Sequence, residues 1–230
     1  MPLLGKGVAA IWHNVAPDIQ SDYNHWHCSE HMPERVGIEG FLRGRRYDAI
    51  DGRPQFFHFY ETTTAAVLTS PAYMQLLNNP TSWTQTIGPH IKDNNRTLSQ
   101  VVHSIGCGVG AAILTVRMVA TDNRETDFFR WVSQELFPLI NNKPGVVAAH
   151  LLKGDKRASD TETEEKAMRE KPDEIADWII FIEAIDEKTL LKIWTNECLS
   201  EKLLIKNGAA SASIGTYKLH FSLSSEDLIE

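Results

Sequence analysis

The chain has 230 residues, of which 42% are hydrophobic and 23% are charged, and its formal net charge is −7. This acidic balance argues against a sequence-independent grip on nucleic acid, and no apolar run approaches the ~20 residues that cross a bilayer. No secretory signal is recognisable at the N-terminus, and three widely spaced cysteines suit a reducing compartment, so we expect a soluble, cytoplasmic protein.

The hydropathy pattern of the first half predicts the element order β-α-β-β-α-β. The predicted strands cover residues 7–14, 41–50, 55–61 and 97–104, and the predicted helices cover residues 22–31 and 65–77. We expect the first helix to end near Met32, because Pro33 disfavours helical backbone in the residue before it.

The second half repeats this order. Four pairs of identical residues lie 105 positions apart: Trp26 and Trp131, Glu30 and Glu135, Pro33 and Pro138, Gly40 and Gly145. The predicted strands are 111–119, 146–153, 177–183 and 217–223, and the predicted helical regions are 125–140 and 187–206. An extra segment of about residues 154–176 is rich in charged residues, which predicts an exposed and mobile insertion.

These patterns predict an α+β protein made of two tandem ferredoxin-like repeats, residues 1–105 and 111–230. A four-stranded sheet with helices on one face needs cover on its other face. We expect the two sheets to cover each other about a pseudo-twofold axis, which creates a barrel-like core. Clefts then lie inside the barrel or between each sheet and its own helices, and the sequence leaves this choice open.

The histidines are distributed unevenly between the repeats. Seven of the nine precede residue 106, and at repeat-equivalent positions His27, His31 and His58 face Val132, Leu136 and Ile180. Histidine is the side chain that titrates near neutral pH, so this asymmetry favours an active first half and a supporting second half. The alternative is that these histidines are ordinary core or surface residues.

We predict a pocket built from this half. His27 and His31 lie one helical turn apart, and strand alternation places His58 and Tyr60 on the face opposite Phe57, Phe59 and Glu61. The candidate catalytic residues are His31, His27, His58 and Tyr60, and the candidate substrate-binding residues are Asn14, His13, Trp26, Tyr47 and Arg46. Arg43, Arg45 and Arg46 could bind a carboxylate, or could simply solvate the outer face of a strand.

Residues 27–31 also spell H-x-x-E-H, which occurs in zinc proteases. Because Glu30 recurs as Glu135 in a half without the histidines, a structural role suits this glutamate better than a protease mechanism. We expect no cofactor, and the alternative is a divalent metal bound by His27, His31 and His58.

The motif Trp26-x-x-x-Glu30-His31-x-Pro33, followed by Gly40-Phe41, resembles the EthD-like branch of the dimeric α/β-barrel superfamily. In that branch a first helix ends in histidine-x-proline, and a proline-glycine step leads into the second strand. Here that step is Glu39-Gly40, whereas the second half has Pro144-Gly145. The resemblance implies a tandem fusion of two barrel subunits in one chain, with His31 as the functional residue.

Three functional hypotheses follow. The first is a cofactor-free enzyme of isomerase, cyclase, dehydratase or decarboxylase type, acting on an aromatic or hydroxylated organic acid or ketone by histidine acid–base chemistry. The second is a metal-dependent hydrolase or oxygenase, and the third is a non-catalytic ligand-binding or scaffold protein. The expected partner is a small-molecule substrate, without nucleic acid or membrane, and the tandem chain could form a homodimer.

Overall fold

Eight strands close into one barrel in the computed structural model, which describes residues 3–195 and 198–228. The strands are β1 (Gly7–Val15), β2 (Phe41–Gly52), β3 (Phe56–Thr62), β4 (Ile91–Gly106), β5 (Ala112–Ala120), β6 (Val146–Gly154), β7 (Trp178–Ala184) and β8 (Ala209–Ser224). Their order around the barrel is β1-β3-β2-β8-β5-β7-β6-β4, and all neighbours are antiparallel. Each half supplies four consecutive strands, so the predicted tandem ferredoxin-like architecture is confirmed.

The helices cover the outside of this barrel. They are α1 (Gln20–Trp26), α2 (Met32–Val36), α3 (Pro71–Leu77), α4 (Ser82–Ile87), α5 (Glu125–Trp131), α6 (Phe137–Asn141), α7 (Lys156–Ser159), α8 (Glu164–Ala167), α9 (Glu187–Thr195) and α10 (Glu201–Lys206). Short 3₁₀ turns cover Pro17–Ile19, Ala65–Thr69, Gly88–His90 and Ser225–Leu228. None of the helices in the described ranges combines the length and apolarity that crossing a bilayer requires.

A π-helical turn, His27–His31, joins α1 to α2 without a break. The Met32 N–H donates to the His27 carbonyl five residues back, and Phe137 bonds Val132 in the same way in the second half. The predicted helix end near Met32 is therefore wrong. Pro33 has no N–H to donate, and the wide turn before it lets the chain continue as helix to Val36.

The barrel interior is aromatic. Trp12 stacks on Phe57 with ring centroids 4.7 Å apart, and Phe59 and Tyr47 continue this stack towards Phe181. Phe57 and Phe59 thus face the interior, whereas His58 and Tyr60 face the helices. The alternation predicted for β3 is confirmed, and it assigns one face of the first sheet to the core and the other to the histidines.

A buried ion-pair network crosses the barrel between the repeats. Arg45 donates to the two carboxylate oxygens of Glu183 at 2.8 and 3.1 Å, and its Nε lies 3.2 Å from Glu61 Oε1. Burial alone would raise the pKa of Glu183, but the neighbouring His150 and Arg45 outweigh it and lower the pKa to about 2. Arg45 is fully buried, so neither the outer-face interpretation nor a ligand-binding role holds for this arginine.

The charged insertion is exposed over about half of its residues, as predicted, but it also forms helices and contacts the rest of the protein. Its predicted mobility stays a prediction. The insertion contains α7 and α8, and Ser159 and Glu165 are buried. The Leu98 N–H donates to Ser159 Oγ at 2.9 Å, and the Arg96 N–H donates to the Glu174 carbonyl at 3.0 Å. Backbone and hydroxyl groups make these attachments, which explains why charge composition did not reveal them.

Two strands begin earlier than predicted. β4 starts at Ile91 and β8 at Ala209, against predicted starts at residues 97 and 217. The added residues of β4 are mostly polar, and those of β8 are mostly small, so neither stretch shows apolar alternation. They are strands because β1 and β5 supply the hydrogen-bonding partners, which is a tertiary effect.

Gly40 and its repeat equivalent Gly145 adopt φ values of +91° and +88°. We expect Gly40→Ala to lower the free energy of unfolding by about 1–3 kcal/mol, because this backbone region is strained for other residues. The new Cβ would also lie 2.8 Å from Val67 Cγ2. Urea unfolding measures the change. Gly37→Ala is the matched control, since Gly37 has φ −72°; an equal loss in both variants would contradict the explanation.

Candidate functional site

A cavity of about 40 Å³ lies between the first sheet and its own helices. The side chains of His13, His27, His31 and His58 line it, together with Trp26 and Tyr60. The second half has no such imidazoles at the equivalent positions, where Val132, Leu136 and Ile180 are buried in an apolar core. Of the clefts that the fold allows, this one collects the histidines.

Local structure explains how the four imidazoles meet. His13 on β1 and His58 on β3 point away from the barrel interior, because Trp12 and Phe57 occupy it. His27 and His31 are the first and last residues of the π-turn, which widens the helix where it faces the sheet. Single-turn π segments of this kind frequently occur at functional sites.

The rings form a compact cluster. The His27 and His58 ring centroids are 4.6 Å apart, those of His27 and His31 are 5.3 Å apart, and those of His13 and His58 are 5.3 Å apart. The His31 ring lies 4.2 Å from the Trp26 ring, whose Nε1 donates to Thr84 Oγ1 at 3.2 Å. One ring nitrogen from each of His27, His31 and His58 lies within 4.8 Å of the others.

The surroundings keep these imidazoles neutral. Burial is the main cause, and it lowers the pKa of His13 to about 3 and the pKa values of His27, His31 and His58 well below the ordinary value. Positive charge on Arg35 and Arg46 adds to the effect. A neutral imidazole has one nitrogen lone pair, which can bind a ligand or take a proton from a substrate.

Several polar atoms of the site have no hydrogen-bond partner among the described residues. They include both ring nitrogens of His27, Nδ1 of His31 and of His58, and the Tyr60 hydroxyl. Burial raises the pKa of Tyr60 well above its ordinary value, so its hydroxyl stays a donor. Buried polar groups without partners are rare and are usually satisfied by water or a ligand, so this cavity is the candidate site.

Three of the predicted substrate-binding residues lie outside the cavity. Tyr47 packs inside the barrel, and its hydroxyl accepts a hydrogen bond from Arg45 at 3.1 Å. Asn14 shares a strand face with Trp12, accepts from the Gln55 N–H at 2.8 Å and donates to Asp93. Arg46 is buried beside the Tyr23 ring and bonds Asn24, so it acts on the histidines through its charge. His13 and Trp26 do line the cavity.

Sequence reasoning missed part of the cavity lining. Arg35, Asn94 and Arg96 line it, as do Glu165, Met168 and Arg169 from the insertion. Arg35 could have been found, because it lies four residues after His31 on the same helical face. Asn94 and Arg96 precede the predicted start of β4, and the insertion residues carry no local signal of their position.

The insertion is attached to the cavity by an ion pair between Arg35 and Glu165, whose side chains are 2% and 9% exposed. We expect Glu165→Gln to weaken this attachment by about 1–3 kcal/mol, because Arg35 would then pair with a carboxylate only at the more exposed Glu34. Hydrogen exchange of residues 154–176 should accelerate. Glu162→Gln, an exposed change in the same segment, is the control. Unchanged exchange in Glu165→Gln would show that other contacts hold the segment.

Comparison with known proteins identifies the fold. No family model matches the sequence, and no curated protein is similar to it. Among solved structures, the chain is similar to an anthrone oxidase-like protein, with 13% identity, coverage of 97% of this chain and 94% of that one, and a TM-score of 0.66. A proposed monooxygenase from Fusobacterium nucleatum gives 12% identity, 96% coverage of both chains and a TM-score of 0.57.

A proposed chlorite dismutase is also similar, with 9% identity, coverage of 95% of this chain and 96% of that one, and a TM-score of 0.55. Identities this low carry information on the fold alone. They agree with the closed barrel of two ferredoxin-like units. The chain therefore has the dimeric α/β-barrel fold, with both units fused in tandem.

Proposed function

We propose that the chain is a small-molecule enzyme that removes a proton from a carbon acid in the four-histidine cavity. His31 is the general base, His27 or His58 relays the proton, and Tyr60 donates a hydrogen bond to the substrate oxygen that becomes negative. The observation that carries this proposal is a cluster of imidazoles, with unpartnered ring nitrogens on His27, His31 and His58, beside the buried guanidinium of Arg35. A positioned base of this kind contributes roughly 10²–10⁴-fold to the rate.

The charges suit the formation of an anion. When a C–H proton moves to a ring nitrogen of His31, the electron pair of that bond delocalises onto the adjacent carbonyl oxygen as an enolate. The Tyr60 hydroxyl and the positive charge of Arg35 stabilise this oxygen. The imidazolium then returns its proton to another carbon, which isomerises the substrate, or to a hydroxyl that leaves as water, which dehydrates it.

The names of two fold neighbours suggest test substrates of this chemical class. One is named for its likeness to anthrone oxidase and another is a proposed monooxygenase. Anthrone is a flat aromatic ketone with an acidic methylene group, and removing a proton from it gives a stabilised carbanion. The aromatic ring of Trp26 beside His31 offers a matching surface.

Cavity size adds one requirement. A volume of about 40 Å³ holds roughly three water molecules. A substrate with an aromatic ring must therefore displace part of the cover, and the insertion at Glu165 and Met168 is the segment that we propose moves. Lid motions of this kind are common where a reaction must be shielded from water.

The test is proton exchange in D₂O. Phenylpyruvate and anthrone, two ketones that contain an aromatic ring and an acidic CH₂ group, are incubated with the protein, and ¹H NMR follows the loss of those C–H signals. We expect exchange above the rate of a sample of His31→Leu at equal concentration. Exchange at the same rate in both samples would contradict the proposal, and so would the absence of enzyme-dependent exchange for both ketones.

A second candidate is metal-dependent chemistry, favoured by one observation. The ring nitrogens of His27, His31 and His58 converge within 4.8 Å, and three neutral imidazoles can bind a divalent ion. The positive charges of Arg35 and Arg46 oppose it, and no carboxylate joins the three rings in the cluster that the described residues form. Measuring the metal content of untagged protein tests this candidate. About one ion per chain, lost in the double variant His27→Ala, His31→Ala, would favour it.

A further inference from the structure

The cavity has a second polar region, formed by charged residues. Arg35, Arg96 and Arg169 line it, and Glu165 is the carboxylate among the lining residues. Glu165 pairs with Arg35, and Asp173, which lies behind the lining, pairs with Arg169. Arg35 also pairs with Glu34, at 2.9 Å, so two of the three guanidinium groups have carboxylate partners.

Arg96 is the unpaired member of this group. Its guanidinium is 8% exposed and donates to the Tyr73 hydroxyl at 3.3 Å, and no ion pair within 4.0 Å joins it to a carboxylate of residues 3–195 or 198–228. Arginine stays protonated in proteins, so burial cannot neutralise it. Asp173 and Glu165 act on Arg96 only through space, because each pairs with another arginine, and an anion from outside the chain could therefore complete the site.

Asn94 supplies the second, independent observation. It lies two residues before Arg96 on β4, so strand alternation places both side chains on the cavity face. Its side chain is 6% exposed, and both Oδ1 and Nδ2 have no hydrogen-bond partner in the part of the chain that the structure describes. An amide donor beside a guanidinium fork matches the two oxygens of a carboxylate.

We propose that Arg96 and Asn94 form a carboxylate-binding subsite, so that the substrate is a small organic acid anchored there with its reacting carbon at the histidines. This deepens the proposed function and rests on it. Backbone hydrogen bonds to Glu174 hold both positions: the Glu174 N–H donates to the Asn94 carbonyl at 2.9 Å and the Arg96 N–H to the Glu174 carbonyl at 3.0 Å. The insertion thus orients the subsite that its own helices cover.

Binding of matched acids and amides tests the subsite. Acetate and benzoate are compared with acetamide and benzamide by ligand-observed NMR on wild-type protein. Acetate suits the small cavity, whereas benzoate requires the insertion to move. We expect at least one carboxylate to bind tenfold or more tightly than its amide. Equal binding of acid and amide, or no binding of either acid, would overturn the proposal.

Variants then identify the residues. Arg96→Met should lower the affinity for the carboxylate at least tenfold, and Arg96→Lys should recover part of that affinity. Asn94→Leu should lower the affinity independently. Arg117→Met is the matched control, because Arg117 is a partly buried arginine that stacks on Trp12, outside this cavity. Wild-type affinity in Arg96→Met would overturn the assignment, and Asn94→Leu still tests the subsite if Arg96→Met does not fold.

The two proposals fail separately. His31→Leu should keep carboxylate affinity while losing proton exchange. Carboxylate binding without exchange in the wild-type protein would contradict the proposed reaction alone. Exchange of anthrone and phenylpyruvate with no preference for acids over amides would contradict the subsite alone.

Discussion

Replacing His31 with leucine should lower the rate of substrate proton exchange by about 10²–10⁴-fold, because the variant loses the general base. The protein should fold as well as before, or better. Leucine is the residue of the second repeat at this position, where Leu136 is buried in a well-packed core. His31 is half-buried and its Nδ1 has no hydrogen-bond partner among the described residues, so leucine should recover about 1–3 kcal/mol of the desolvation penalty of that nitrogen.

The second repeat also suggests the companion variants for this prediction. His27→Val and His58→Ile likewise introduce the residues of the second half, and His90→Leu, the control, changes a half-buried histidine outside the cavity. Urea unfolding and proton exchange are measured on each variant. If the cluster is functional, His31→Leu, His27→Val and His58→Ile should each raise the free energy of unfolding and lower turnover. Unchanged turnover in stable His31→Leu would instead favour the non-catalytic, ligand-binding interpretation.

The second large effect is on stability as a function of pH. His13, His27 and His58 are almost fully buried, and their folded-state pKa values lie below the ordinary value of about 6.5. Below pH ~6.5 the unfolded chain therefore binds more protons than the folded one. The free energy of unfolding should be greatest above this pH and fall by about 4 kcal/mol per pH unit for three histidines. His31 acts in the same direction.

At this slope a typical stability of ~5–15 kcal/mol would be lost between about pH 5 and about pH 3. Urea titrations at pH 7.5, 6.5 and 5.5 would measure the slope. The triple variant His27→Val, His31→Leu, His58→Ile should show a clearly shallower slope, leaving mainly His13 in the cluster. Glu183, with a pKa lowered to about 2, adds a further loss only below about pH 4.5. Equal slopes in wild-type and triple-variant protein would contradict a neutral, buried cluster.

Sequence reasoning recovered the features that depend on periodicity and repetition. The Trp-Glu-Pro-Gly repeat predicted two ferredoxin-like units, and alternation on β3 separated His58 from Phe57. The contrast of His31 with Leu136 pointed to the helix-facing side of the first half, where the cavity lies. These signals are local, or they compare one half of the chain with the other, so they need no knowledge of tertiary contacts.

The features that it missed depend on distant partners. Pro33 predicts a helix end, and only the π-turn before it shows how the helix continues. Asn94 and Arg96 lie in a polar stretch that becomes strand because β1 pairs with it. Glu165 lies 130 residues from Arg35, and a charged segment looks like a solvated loop until its partner is known. For this reason the sequence did not predict that these residues line the cavity.

The most direct test of the central claim is the titration of the imidazole rings by NMR between pH 5.5 and 8.5. The claim is that His13, His27, His31 and His58 form a neutral cluster that can accept a proton from a substrate. We predict that the ring signals of these four histidines, assigned with the repeat-equivalent variants, keep their neutral positions across the range. A member of the cluster that titrates near pH 6.5 would contradict the account.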